Sequence, residues 1–444
     1  MASRPQPNLS VLDVVAVTVG IVVGIGIFKT PALVAGAADS DAQFLLLWLA
    51  GGAISLLGAL CYAELAASHP DAGGEYHFLR RAYGDRVGCL FAWGRITVIQ
   101  TGAIAAVAFV LGDYAAQLVP LGRHGPAIYA AAAVAGLTAF NLRGLRTSAR
   151  LQHVFTGATV AALAAIVAAG LLHGAPPAAA NPGPDAGGAI GLAMIFVLLT
   201  YGGWNEAVYL SAEVRDVRRN MARALVLGIG AITVLYLAVN AAYVAALGLP
   251  GLRAAEVPAA ELMRRTFGDA SALVLSAVVV VAAVSTLNAT VLTGARTSYA
   301  LGRDFAGLGF LGRWDGDAMA PGNALRAQGA IALALVGFGA LTRGGFTAMV
   351  EFTAPVFWLF FLLCGAAVIV LRSREPARPL PFRVPLYPLT PLAFCAACGY
   401  MLHASLAYTG YGALLGAAVL TAGLPVHAWL RGRGNQEAPR PKGG

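Results

Sequence analysis

Apolar runs of about 18 or more residues recur along almost the whole chain, each long enough to cross a hydrocarbon core as a helix. A soluble fold would need charged residues to cover them. Only 11% of the 444 residues are charged, against roughly 25% in ordinary soluble domains. Hydrophobic residues make up 58%, and many glycines and prolines fall inside the runs, where membrane helices tolerate them. The pattern specifies an all-α membrane protein. Twelve transmembrane helices are expected, over 11–36, 43–68, 87–118, 125–141, 151–173, 187–212, 222–247, 269–302, 323–341, 347–371, 388–408 and 411–430.

Charge between the runs sets the orientation. With a cytoplasmic N-terminus, 23 of the 30 Lys and Arg residues fall on the inner side and 5 on the outer, leaving Lys29 and Arg95 inside spans. That is the positive-inside asymmetry, so both termini are expected in the cytoplasm. It also accounts for the net charge of +9 with no nucleic-acid partner. Residues 1–10 hold one Arg, and the run that follows is longer than a signal core, so no cleavable leader is expected. No separate soluble domain is expected within 1–431. The longest polar segments, 69–86, 303–322 and 372–387, read as loops, and 432–444 reads as a disordered cytoplasmic tail.

Two spans are interrupted by glycine at similar depth. The first contains Gly20-Ile-Val-Val-Gly24-Ile-Gly26-Ile-Phe28, and the sixth contains Thr200-Tyr201-Gly202-Gly203-Trp204-Asn205. Unwound backbone at mid-membrane survives only where it lines a polar cavity. Freed N–H groups suit a carboxylate and freed carbonyls an ammonium or small cation, the two ends of a zwitterion. Paired breaks in corresponding spans point to a transporter site. Each also has a plainer reading: Gly20 and Gly24 as a helix-packing face, Gly202-Gly203 as a kink.

Other motifs point away from chemistry. Cys395 and Cys398 have metal-site spacing but no second ligand pair, and all five cysteines lie in apolar stretches, so they read as packing residues. The seven histidines form no i, i+4 pair. No nucleophile elbow or P-loop is present. Among charges inside spans, Glu206 directly follows the second break, where a helix N-terminus favours a carboxylate. It is a candidate for binding a cationic side chain or a proton, with a capping role as the alternative. Arg95 reads as a packing residue, with pairing to an acidic neighbour or snorkelling to the cytoplasmic face as alternatives, Lys29 as snorkelling outward, Asp113 as solvated at an interface, and Glu64 as structural.

Beyond these features the chain resembles the amino acid–polyamine–organocation permeases, closest to the branch of L-type amino acid transporters and their bacterial relatives. The likeness rests on the run Gly24 to Pro31 and on Tyr62-Ala-Glu64 followed by Pro70, Gly73-Gly74-Glu75-Tyr76. It continues through Tyr201-Gly-Gly-Trp-Asn205 with Glu213, Ala295-Arg296 with Tyr299, and Leu371-Arg372 with Pro376 and Arg383-Val-Pro385. It covers nearly the whole sequence.

The resemblance implies a leucine-transporter-like fold. One repeat would run over about 11–173 and a second, inverted, over about 187–371, five helices each, with two extra C-terminal helices over 388–430. It implies alternating access without an organic cofactor. A substrate carboxylate would meet the amides around Ile25, Gly26 and Ile27, with Gly24 also in the site. Its amino group would meet carbonyls near Ile21 and of Leu199 and Thr200, beside Tyr201 and Gly202.

Two departures stand out. Leu199 replaces the usual aromatic gate, and Thr159 stands where many members carry a lysine. Ser285 and Thr286 match a hydroxyl pair that holds sodium in sodium-coupled relatives of the wider fold. Na⁺, a proton network or nothing remain alternatives at that place, with back-bonding to their own helices as the plainer role.

The expected function is secondary transport or exchange of amino acids, with neutral L-amino acids as the leading cargo. Cationic amino acids or polyamines are the alternative. A membrane-embedded enzyme would need convergent catalytic groups and a channel a repeated filter; neither is seen. Abundant Arg and Ala beside few Lys suggests a GC-rich bacterial source, hence a plasma membrane.

Overall fold

The first expected span does not run through as one helix. α1 (Val11–Val22) starts at a capping box, in which Ser10 Oγ accepts from Asp13 N–H and Asp13 accepts in return from Ser10 N–H at 2.9 Å. It stops before Gly24, whose backbone is extended (φ −93°, ψ −166°). A 3₁₀ turn (Ile25–Phe28) and a short helix α2 (Thr30–Ala35) complete the crossing. The computed structural model describes residues 9–71, 73–143, 149–172, 189–304, 308–314, 321–341, 344–407, 411–426 and 428. The expected tail 432–444 and the connection 173–188 lie outside the described residues.

α3 (Asp41–Ser68) follows, then α4 (Glu75–Tyr83) and α5 (Asp85–Gly94). A π-helical turn (Arg95–Ile99) joins α5 to α6 (Gln100–Leu118), and α7 (Gly125–Leu142) and α8 (Ala149–Leu172) come next. The sixth span is broken as expected, with α9 (Ala189–Thr200) ahead of a 3₁₀ stretch (Trp204–Glu213). The remaining helices are α10 (Val217–Ala254), α11 (Pro258–Phe267), α12 (Asp269–Asp304), α13 (Gly322–Ala340), α14 (Gly345–Arg374), α15 (Leu389–Ala407) and α16 (Tyr411–Thr421).

Among the described residues there is no β-strand, only an isolated bridge between Leu9 and Val214. Among the described residues, eight helices are long and apolar enough to cross a membrane by length and composition, and three shorter apolar ones accompany them, Val11–Val22 among these. The protein is therefore an all-α membrane protein.

Two segments differ from expectation. The 69–86 loop contains the amphipathic α4, which buries Phe78, Leu79 and Ala82. The seventh span continues to Ala254 past a kink at Gly248 (φ 65°) and is followed by α11, which buries Ala259, Ala260 and Leu262. Both extra helices are short and rich in charge, so neither leaves an apolar run in the sequence.

α1, α3, α9 and α10 pack together, and α6, α7, α12 and α13 form a second group, with α14 touching α6, α15 and α16. Glycines let α3 approach its neighbours. A Cβ on Gly51 would lie 2.4 Å from Val197, and one on Gly58 would lie 2.7 Å from Trp204 and 2.5 Å from Phe394. Asn141 and Asn288 tie α7 to α12 through a buried hydrogen bond of 2.8 Å.

On the arginine-rich face, Glu64 is 3% exposed and accepts from Arg372 and from Val384 N–H, fastening α3 to α14 and the chain beyond it. Glu375 pairs with Arg81 at 2.6 Å and meets His69 at 3.4 Å. The Arg81 hydrogen bond holds the Glu375 carboxyl at about 2. Burial, aided by Arg378, pushes His69 down to about 4, so its ring is neutral at physiological pH. The cysteines are free: Cys395 is half-buried and Cys398 buried, where α14 packs on α15.

Candidate functional site

The two breaks lie against each other. Beyond α9 the chain turns through Tyr201-Gly202-Gly203, and Gly203 adopts φ 107°, which L side chains rarely enter. A Cβ on Gly203 would sit 2.9 Å from the Ile21 side chain, and one on Gly26 would sit 3.2 Å from Thr200. Thr30 Oγ1 donates to the Gly26 carbonyl at 2.9 Å and lies 2.8 Å from Thr200 Oγ1. The Tyr236 hydroxyl lies 2.8 Å from the Val22 carbonyl and 3.2 Å from the Thr200 carbonyl. One phenol proton thus serves the last carbonyls of both α1 and α9, groups that a helix end leaves without an internal partner. Trp48 and Tyr201 pack on the Tyr236 ring with centroids at 5.9 and 5.0 Å.

This arrangement presents backbone more than side chain. Ile25, Ile27, Thr200 and Tyr201 are buried, whereas Gly24, Gly26, Leu199 and Gly202 are half-buried and Ile21 is 40% exposed. The Leu199 carbonyl accepts from Gly202 N–H at 3.0 Å, and that of Thr200 from Tyr236. Each carbonyl oxygen has a second lone pair for another donor. The two breaks therefore touch at Gly26–Thr200 and Ile21–Gly203.

Glu206 lies in the 3₁₀ stretch just past the second break, and its carboxylate is engaged. Both of its oxygens accept from Arg95 Nη2, at 2.8 and 2.9 Å. Arg95, 4% exposed, also donates to Glu75 at 3.2 Å. Glu75 in turn accepts from Tyr62 OH at 2.8 Å and from Asn205 at 3.2 Å. Arg95 is therefore the centre of an acidic cluster rather than a lone packing residue. Near the other face, Lys29 does not snorkel: its ammonium lies 2.7 Å from Asp113 and donates to the Glu256 carbonyl at 2.8 Å. Asp113, expected as a solvated charge, is thus ion-paired.

Thr159 on α8 and Ser285 on α12 are both buried, on helices that pack together. Thr286 is half-buried, and its carbonyl accepts from Thr290 Oγ1 at 2.8 Å. α12 also packs on the 3₁₀ turn of the first break. Sequence reasoning missed Tyr236, Thr30 and the partners of Arg95. Tyr236 sits in a uniform apolar run, and nothing local marks a hydroxyl whose partners lie far away in the chain.

A family profile described as amino acid permease matches residues 9–420. The b(0,+)-type amino acid transporter 1 of Mus musculus is 29% identical over 396 residues, covering 86% of this chain and 79% of the relative. The Homo sapiens protein of the same name is 28% identical over 86% and 79%. The large neutral amino acids transporter small subunit 2 of Mus musculus is 28% identical over 95% of this chain and 80% of its own length. The chain belongs to the amino acid permease family, in the amino acid–polyamine–organocation superfamily near its L-type branch, and is a multi-pass membrane protein of amino acid transport.

Proposed function

We propose that the protein moves neutral L-amino acids across the plasma membrane by alternating access around the paired breaks. The carrying observation is the junction itself: two interrupted spans touch at Gly26–Thr200 and Ile21–Gly203 and share the Tyr236 hydroxyl. The amides of Ile25, Gly26 and Ile27 would receive the carboxylate, and carbonyls near Ile21, Leu199 and Thr200 the ammonium. Both ends of a zwitterion then meet fixed dipoles.

The neutral reading draws support from Arg95, which holds the carboxylate that a cationic side chain would need. The name of the large neutral amino acids transporter relative points the same way. The proposal extends to twelve spans in a five-plus-five inverted repeat with two added helices, cytoplasmic termini and a bacterial plasma membrane. The coupling ion, Na⁺ or H⁺ or none, would act at Thr159, Ser285 and Thr286.

Uptake of a radiolabelled neutral amino acid mixture into proteoliposomes, with and without a sodium gradient, tests this. Sodium-stimulated accumulation supports an ion at the three hydroxyls. Sodium-independent uptake that needs internal amino acid makes the protein an exchanger. Uptake of cationic amino acids alone would overturn the neutral reading.

A further inference from the structure

Two ion pairs join the broken spans to one helix, the third span formed by α5, the π turn and α6. Lys29, at the start of α2 in the second half of span one, pairs with Asp113. Tyr114, next to Asp113, adds a hydrogen bond of 2.8 Å to the Phe28 carbonyl. Glu206, in the second half of span six, pairs with Arg95, which sits on the π turn. Arg95 and Asp113 are roughly 27 Å apart along the axis at the usual helical rise, near the about 30 Å thickness of a hydrocarbon core. One span therefore grips both half-helices, each near a different face.

We infer that the third span carries two ion latches that open in turn, Lys29–Asp113 closing the arginine-poor face and Arg95–Glu206 the arginine-rich face. The inference rests on the alternating-access reading above. Breaking a buried pair is costly when it strands a charge without a partner, and both latches avoid that. Arg95 keeps Glu75 when Glu206 leaves, and Glu206, 30% exposed, is free to move into water. Asn205, on the same stretch as Glu206, gives up only a neutral donor's hydrogen bond to Glu75. Lys29 and Asp113 are 17% and 22% exposed, so water reaches both as they part. The Glu64–Arg372 pair shows the contrast: its carboxylate is 3% exposed and also held by Val384 N–H, the build of a fixed staple.

Hydrogen–deuterium exchange on the full-length protein in lipid nanodiscs, without cargo, tests the latches. Asp113→Asn should speed exchange in 25–35 and 258–267 about tenfold, as for removal of about 1.4 kcal/mol, and slow it in 204–213, because opening one face holds the other latch shut. Glu206→Gln should do the reverse, speeding exchange in 204–213 and 75–83 and slowing it in 25–35. The double exchange Lys29→Asp with Asp113→Lys should restore the parent pattern at the arginine-poor face. Lys29→Gln breaks the same pair if Asp113→Asn does not insert. Exchange that rises only beside the broken pair, at both faces, or at neither, would make these pairs static staples and overturn the inference. Because no cargo is needed, that failure leaves the transport reading standing. Opposed exchange with no uptake would instead remove the transport reading alone.

Discussion

Tyr236 and Gly26 carry the most specific consequences at the residue scale. Removing the Tyr236 hydroxyl leaves the end carbonyls of α1 and α9 without their shared donor, a loss of about 1 kcal/mol for one net hydrogen bond. Tyr236→Phe should therefore lower transport roughly fivefold by that energy while the protein still folds, read as initial uptake rate against thermal stability. Gly26 faces Thr200 at a distance that leaves no room for a branched side chain. Gly26→Leu should insert normally and abolish uptake; normal transport by this variant would remove the proposed site. The break glycines were legible in the sequence because their chemistry is local. The partners of Arg95 and Lys29 were not, because ion pairs between helices far apart in sequence leave no spacing to count.

At the scale of elements, close approach decides stability. The α3 glycines admit Val197, Trp204 and Phe394 at distances a Cβ cannot share. Gly58→Ala should cost about 1–3 kcal/mol as an overpacked core site, seen as a lower melting temperature in detergent. The junction at His69 and Glu375 ties the end of α3 to the end of α14. The unfolded histidine takes a proton near its ordinary value of 6.5, whereas His69 in the fold resists until about 4. Stability linked to it is present above pH 6.5 and falls as pH drops toward 4. Glu375 adds stability present above its ordinary 4.5 and lost as pH falls toward 2. Melting temperature should therefore decline from pH 7 to pH 4, and His69→Gln should flatten the upper part of that decline. The long apolar helices were readable from composition, because lipid demands their length. α4 and α11 escaped because short amphipathic helices packed over the bundle carry mixed charge and need no apolar run.

For the whole molecule, the arrangement places two helix breaks between a group around α3 and α10 and a group around α6 and α12. Lys29 and Glu206 are the charges by which the broken spans hold the third span. In the proposed site, a zwitterion centred on the breaks would bridge the halves through backbone dipoles. The most direct measurement is counterflow in proteoliposomes loaded with an unlabelled neutral amino acid mixture, comparing the parent with Gly26→Leu. Labelled neutral amino acids should enter parent vesicles, be competed by neutral but not cationic amino acids, and fail to enter Gly26→Leu vesicles of equal protein content. Equal entry in both, or competition by cationic amino acids alone, would contradict neutral transport through the paired breaks.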